Sequence, residues 1–225
     1  VSVAGEVLHT RGIGNVAVHP YARSRGYMRR LMNDAIDDMV RDGIDFSVLG
    51  GRRQRYNYFS YDKAGEGISL SFGMDNMRHT FGYPRTHRIK VRRIGADDTS
   101  ALVDIARLYE TLPFHGIRNR SRLYDILTSW SYSVWYGTDD SGCVGYALAK
   151  DESVSELVLA DEERVPEFTV ALFDAVGRGR LVVTLPAFLP GYAERLCRIC
   201  EEYTISPKKS FSVLNYERVV GAFAR

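Results

Sequence analysis

The sequence is poor in cysteine: Cys143, Cys197 and Cys200 are an odd three in 225 residues, too few for a disulfide framework and in keeping with a reducing, cytoplasmic setting. It lacks any apolar run near the ~18 residues of a spanning helix. Its first six residues, Val-Ser-Val-Ala-Gly-Glu, show no charged-then-apolar export pattern, so no membrane partner is expected. Charge excess is missing too. Thirty Lys and Arg stand against 28 Asp and Glu, a net charge of +2, which leaves no molecule-wide field for nucleic acid. The five histidines fall in no HxxH or HExxH spacing. Cys197-Arg198-Ile199-Cys200 has no second pair and no nearby histidine, so no metal is expected and the two thiols read as structural. Low-complexity tracts are absent, and 45% apolar with 26% charged residues excludes disorder and fibre. An ordinary globular chain remains, long enough for one large domain or two small ones.

Periodicity gives the organisation. Val1–Leu8 and Ile13–Val18 read as strands, followed by a polar loop from His19 to Gly26. Met28, Leu31, Met32, Ala35, Ile36, Met39 and Val40 then fall at helical spacing, with Gly43 placed as a left-handed stop. Ile44–Leu49 is a short buried strand, so the chain from Ile13 reads as a βαβ crossover. A basic, aromatic turn over Arg52–Phe59 and short strands over Tyr61–Phe81, broken at Gly65, Gly67 and Gly73, lead to a boundary at Gly82-Tyr83-Pro84. Beyond it the pattern predicts strands at Arg88–Ile94, Ser131–Tyr136, Val144–Ala149, Glu156–Leu159, Leu181–Leu185 and Phe211–Leu214. Helices are predicted at Thr99–Leu112, Ser121–Leu127, Pro166–Val176, Gly191–Glu202 and Asn215–Phe223, the last stopping on Arg225. The whole is α/β in two modules.

The stretch Asn15-Val16-Ala17-Val18-His19-Pro20-Tyr21-Ala22-Arg23-Ser24-Arg25-Gly26-Tyr27-Met28 carries chemistry. A strand ends, an Arg- and Gly-containing loop follows and a strong helix begins, so unpaired N–H groups and the helix dipole point into one concavity. Such a concavity suits phosphate, and Arg23 and Arg25 add the charge a diphosphate uses. An ordinary βα turn with two solvated arginines fits the same spacing. The loop is neither a Gly-Lys-Ser/Thr phosphate loop nor a Gly-x-Gly-x-x-Gly turn.

These residues resemble a known family. Arg23-x-x-Gly26-x-Met28, after Val16-Ala17-Val18-His19-Pro20, is similar to the Arg/Gln-x-x-Gly-x-Gly/Ala signature of the GCN5-related N-acetyltransferases (GNAT), with Met28 in place of the usual small residue. Arg55-Tyr56-Asn57-Tyr58-Phe59-Ser60-Tyr61 is similar to the family's Phe-Tyr-x-x-Phe-Gly-Phe segment, with Ser60 for its Gly. The resemblance is nearest to the two-module enhanced-intracellular-survival acetyltransferases, where larger residues occur at the Met28 position.

The resemblance implies two tandem GNAT-like acyl-CoA N-acyltransferase modules. The first spans 1–84 and is apparently incomplete at its amino end, since the chain opens on Val1 inside a strand; the second, degenerate, spans 85–214; a helix or linker follows at 215–225. It implies acetyl-CoA as co-substrate, Val16 and Val18 offering backbone groups to the pantetheine and thioester, and Arg23, Ser24, Arg25, Gly26, Tyr27 and Met28 lining the pyrophosphate loop. Tyr56 would be the acid that protonates the leaving thiolate, where residues alone would read it as a core or rim aromatic. No carboxylate stands at Gly12, where many relatives carry a Glu. His9, Glu6 or a water on Asn15 are the base candidates here, and in the enhanced-intracellular-survival proteins the carboxyl terminus of an appended domain serves, into which Asn215–Phe223 resembles the connection.

In the second module Glu156–Val165 puts acidic residues where a pyrophosphate loop should lie, and carboxylates repel a diphosphate. The expected activity is acetyl transfer to a primary amine, small-molecule or peptide, by direct attack in a ternary complex; a homo-oligomer is compatible with it. A non-catalytic CoA-binding, assembly or sensing module is the alternative. The basic run Arg85, His87, Arg88, Lys90, Arg92 and Arg93 reads as a solvated strand face. Arg52, Arg53 and Arg55 could reach the CoA 3′-phosphate, and Asp151, Glu152, Glu156 and Asp161–Glu163 could draw a cationic amine; each set reads equally as solvated surface.

Overall fold

The structure is a computed structural model and describes residues 1–224; Arg225, the predicted end of the last helix, lies outside the described residues. The chain begins with β1 (Ser2–Val3), β2 (Glu6–Val7), β3 (Thr10–Ile13), α1 (Tyr27–Arg41), β4 (Phe46–Leu49), α2 (Arg53–Tyr56), β5 (Asp62–Gly73) and α3 (Met74–Phe81). It continues with β6 (Lys90–Arg93), α4 (Thr99–Glu110), β7 (Phe114–His115), α5 (Leu123–Leu127), β8 (Ser133–Asp139), β9 (Gly142–Lys150) and β10 (Ser153–Leu159). The last elements are α6 (Val165–Val176), β11 (Arg180–Pro186), α7 (Pro190–Cys197), β12 (Glu202–Val213) and α8 (Tyr216–Phe223). Among the described residues no helix is long and apolar enough to cross a membrane.

Two compact units form: residues 1–65, 113–117 and 207–225, and residues 66–112 and 118–206. They cut across the chain-order segments 1–84, 85–214 and 215–225. Residues 66–73 join the second unit because β5 pairs antiparallel with β11, from Gly67↔Pro186 to Gly73↔Arg180. The carboxyl end joins the first because β12 pairs antiparallel with β4, from Phe46↔Val213 to Leu49↔Ser210.

In the first unit β4 lies between β3 and β12, and β1 lies between β2 and β7. Val3, Leu8, Phe46, Val219 and Ala222 form one apolar cluster, so one side of α8 is buried against the start of the chain. Met32, Leu49, Tyr56, Phe59 and Tyr61 form a second. Asp45, fully buried, fastens these parts together: its Oδ2 accepts the His9 N–H at 2.8 Å and faces the Arg218 guanidinium at 3.3 Å, and its carbonyl accepts the N–H groups of Leu214 and Asn215. In the second unit the strand order is β5-β11-β10-β9-β8-β6, with one core around Phe72, Phe168 and Leu172 and another around Ile105, Leu127 and Tyr146.

Five predicted elements are corrected, among them the helix predicted at Gly191–Glu202, which runs from Pro190 to Cys197 and leaves Glu202 to open β12. The second strand is Thr10–Ile13, and residues 14–18 are not strand. Val1–Leu8 is two short strands turned at Ala4 and Gly5, both at positive φ. Tyr61–Phe81 is one long strand and a helix. Gly65, at φ +66°, does not break β5; it sits beneath the Phe211 ring, 3.3 Å from where a Cβ would stand. Glu202–Val213 is a single 12-residue strand where only Phe211–Leu214 was predicted; its last four residues, Ser210–Val213, are the ones paired with β4. The short β7 had no prediction.

Candidate functional site

Among the described residues each unit contains a parallel strand pair, β3–β4 and β10–β11, and the two pairs set the comparison. In the first unit the β3–β4 ladder runs from Thr10↔Phe46 to Ile13↔Leu49 and stops there. Residues 14–26 leave the end of β3, and residues 50–52 leave the end of β4. Because the strands are parallel neighbours, both segments depart from the same edge, the edge where open α/β sheets hold ligands. The pair is locked just before it parts: the Tyr61 hydroxyl donates to Ser47 Oγ at 2.6 Å, and Ser47 Oγ donates to the Arg11 carbonyl across the ladder at 2.8 Å. Val16 and Val18, both half-buried, lie in the departing segment, and their N–H groups have no backbone partner among the described residues.

The loop then turns into α1. A 3₁₀ turn covers Pro20–Ala22; Ser24 at φ +62° and Gly26 at φ +76° are both left-handed, a backbone that gathers N–H groups into an anion-binding hollow. Gly26 is the N-cap of α1, and Arg30 N–H donates to its carbonyl at 3.1 Å. The N–H groups of Gly26, Tyr27, Met28 and Arg29 are therefore outside the helix ladder. No acidic residue sits in the first turn and no side chain caps it, so the positive end of the dipole stays unneutralised. Arg23 and Arg25 are exposed and have no carboxylate partner among the described residues.

Tyr56 ends α2 and is 5% exposed, packed with Met32, Leu49, Phe59 and Tyr61. Val16 and Met28 pack against that same cluster, so the departing segment, the helix entry and the tyrosine meet on one apolar floor. Gly51 makes this fit. At φ +151° it lies so close to Tyr56 that a Cβ would stand 2.5 Å from the ring. The Tyr56 hydroxyl has no hydrogen-bond partner among the described residues.

The second unit repeats this order with a different outcome. Parallel β10 and β11 pair at Ser153↔Val182 and Val154↔Val183, α6 crosses between them, and a short helix after β11 carries a buried tyrosine, Tyr192, also 5% exposed. Here the hydroxyl is engaged. It accepts the Leu159 N–H at 2.8 Å and donates to the Leu159 carbonyl at 3.2 Å, filling the end of β10 from within the protein. Sequence reading missed Tyr192; the repeated order of strand, helix, strand and short tyrosine-bearing helix is the signal that finds it. Tyr192→Phe should lower stability by about 1–3 kcal/mol, because it strands a buried N–H; an unchanged urea midpoint would contradict this.

Glu156 within β10 and the acidic residues that follow the strand are spent internally. Glu156 takes a bidentate Arg118 pair at 2.9 and 2.6 Å and the Tyr146 hydroxyl at 2.6 Å. Asp161 caps its own turn by accepting the Glu163 N–H, and Glu162 and Glu163 face Arg195. Half of the basic run is partnered likewise: Arg85 and His87 hold Asp174, and Arg92 holds Asp98, whose carboxyl is kept below its usual range by that guanidinium. Burial pushes the Cys200 thiol up, away from the reactive thiolate, and its S–H lies 3.7 Å from the Cys197 carbonyl.

Two open cavities lie in the second unit. One of about 410 Å³ runs beside Leu102, Val103, Arg120 and Arg122; the other, of about 540 Å³, is beside Tyr132, Lys150, Glu152 and Arg178. The arginines of the first already face Glu110 and Asp125. Of the predicted base candidates, Glu6 lies in β2, His9 precedes β3, and Asn15, at φ +53°, follows it.

Residues 1–65 match the family model of the acetyltransferase (GNAT) domain. No curated protein matches the chain. Among solved structures it is similar to a GCN5-related N-acetyltransferase from Kribbella flavida, at 19% identity and a TM-score of 0.68 over 98% of this chain and 57% of that one. It is similar to Eis1 from Mycobacterium abscessus at 14% identity and a TM-score of 0.59, over 95% of this chain and 58% of that one. A tandem GNAT protein from the clavulanic acid biosynthesis pathway gives 12% identity and a TM-score of 0.50, over 92% and 76%. At these identities the likeness is one of fold, a mixed α/β two-module GNAT arrangement. The chain spans less than three fifths of the length of the first two.

Proposed function

We propose that the first unit carries the site of an acetyl-CoA-dependent N-acetyltransferase that acetylates a primary amine, small-molecule or peptide, in the cytoplasm. One observation carries the reading. The β3–β4 pair ends at Ile13 and Leu49, and beyond that end the free N–H groups of the departing segment and of α1 sit with Tyr56 on one apolar floor. The match of residues 1–65 to the acetyltransferase domain supports it.

In the proposed complex, the N–H groups of Gly26 to Arg29, with Arg23, Ser24 and Arg25, hold the diphosphate at the positive end of α1. Backbone groups of Val16 and Val18 align the pantetheine and polarise the thioester carbonyl. A neutral amine attacks the carbonyl carbon, a C–N bond forms as the C–S bond breaks, and Tyr56 gives its proton to the departing sulfur. The proton shed by the acylated nitrogen leaves to solvent, and solvent returns one to the Tyr56 phenolate. Alignment of the two substrates supplies most of the rate. In the family's base position Gly12 offers no carboxylate, which favours the second reading, binding without turnover.

The second, degenerate module, proposed for 85–214 after a module at 1–84, takes no acyl-CoA in this reading, since Tyr192 bonds the strand-end amide and acidic residues stand in the loop. Calorimetric titration with acetyl-CoA should therefore give one site per chain. Two sites would contradict the closed second module, and none would contradict the cofactor reading.

A further inference from the structure

The described arginines of the first unit divide into two kinds. Arg11, Arg30, Arg41, Arg53 and Arg218 each face a carboxylate. Arg23, Arg25, Arg29, Arg52 and Arg55 face none among the described residues. These five occupy two segments, 23–29 and 52–55, which follow the two parallel strands at the same sheet edge. Surface arginines that only solvate a face would be spread around it and mixed with acids. A diphosphate engages Arg23, Arg25 and the helix end, and three cations remain.

The remaining three are arranged. The Arg29 guanidinium lies over the Tyr58 ring, 4.8 Å from its centre, held by an aromatic face rather than an anion, so its charge is not cancelled. Tyr58 is 66% exposed yet fixed, its ring edge-on to buried Phe59 at 5.2 Å. This contact ties the first turn of α1 to the segment carrying Arg52 and Arg55. Between those two, Arg53 is taken by Asp62 through bonds of 2.5 and 2.8 Å, which hold the Asp62 carboxyl down at about 2, so it stays ionised at any physiological pH. Arg53 thus anchors α2 while Arg52 and Arg55 stay available.

We infer that Arg29, Arg52 and Arg55, with the exposed Tyr58 ring, recognise the 3′-phosphomonoester and purine of coenzyme A, so that the site separates CoA from 3′-dephospho-CoA. This rests on the acetyl-CoA reading above. A phosphomonoester carries close to two negative charges at neutral pH and three acceptor oxygens, which several guanidinium forks can share. Planar arginine and tyrosine faces suit a purine, since stacking asks only for a π surface.

The test titrates the full chain with acetyl-CoA and with acetyl-3′-dephospho-CoA, in the wild type and in the Arg52→Gln, Arg55→Gln double variant. Both positions are exposed, and far-ultraviolet dichroism checks that the variant is folded. The wild type should bind acetyl-CoA roughly tenfold or more tightly than the dephospho form, the loss expected for one charge-assisted contact set. The double variant, which keeps Arg29, should lose most of that ratio by weakening acetyl-CoA toward the wild-type affinity for the dephospho form. Equal wild-type affinities, or discrimination kept by the variant, would overturn the inference while leaving the cofactor reading intact. Failure of both compounds to bind would overturn that reading and this inference with it.

Discussion

Replacing Arg23 with alanine and Gly26 with valine together removes measurable acetyl-CoA binding while the protein stays folded. The two changes act on different parts of one site. Gly26 holds φ +76° as the N-cap of α1, with open space where a Cβ would point, so the penalty is conformational rather than a collision. A β-branched residue there costs about 1–3 kcal/mol or forces the turn open, which misaims the four free N–H groups. Arg23 contributes charge-assisted bonds of about 1.5–3 kcal/mol. Together these approach a thousandfold in affinity. Both residues are exposed and Arg23 has no carboxylate partner among the described residues, so the loss of stability is confined to the strain at position 26 and the thermal midpoint should fall by about 2–4 °C per kcal/mol of that strain, without unfolding the protein. Calorimetry checks the result; an affinity within threefold of the wild type would remove the diphosphate from this loop.

Tyr56→Phe should lower turnover by roughly a hundredfold, the lower range for a positioned acid, with acetyl-CoA affinity unchanged. The variant separates chemistry from packing. Phenylalanine keeps the ring that packs with Leu49, Phe59 and Tyr61, and the hydroxyl it loses has no hydrogen-bond partner among the described residues, so stability should hold. Turnover at the wild-type level would leave Tyr56 a core aromatic. A fall in turnover matched by an equal fall in affinity would mean that the hydroxyl positions cofactor and gives no proton.

Much of this was legible in the chain because local signals agreed. Met32 and Met39 of the predicted apolar stripe are buried in α1, as is Tyr56 in α2, and Gly26 is left-handed at the helix entry. Leu31 and Val40 belong to the same stripe and are 63% and 57% exposed; period alone overstates how wide a buried face is. What was not legible depends on partners distant in sequence. Residues 14–18 alternate like a strand, yet the ladder with β4 ends at Ile13 and Leu49, leaving them as free backbone. Gly67 and Gly73 weigh against a strand that antiparallel pairing with β11 nonetheless forms. Tyr192 is a tyrosine in a short helix until its bond to Leu159 is seen.

The most direct measurement follows free thiol released from acetyl-CoA by the full chain, with and without a panel of primary amines, in the wild type and the Tyr56→Phe variant. The account predicts thiol release that depends on an amine, matches the acetylated amine formed, and falls roughly a hundredfold in the variant. Acetyl-CoA binding without amine-dependent thiol release would contradict it and leave a binding module.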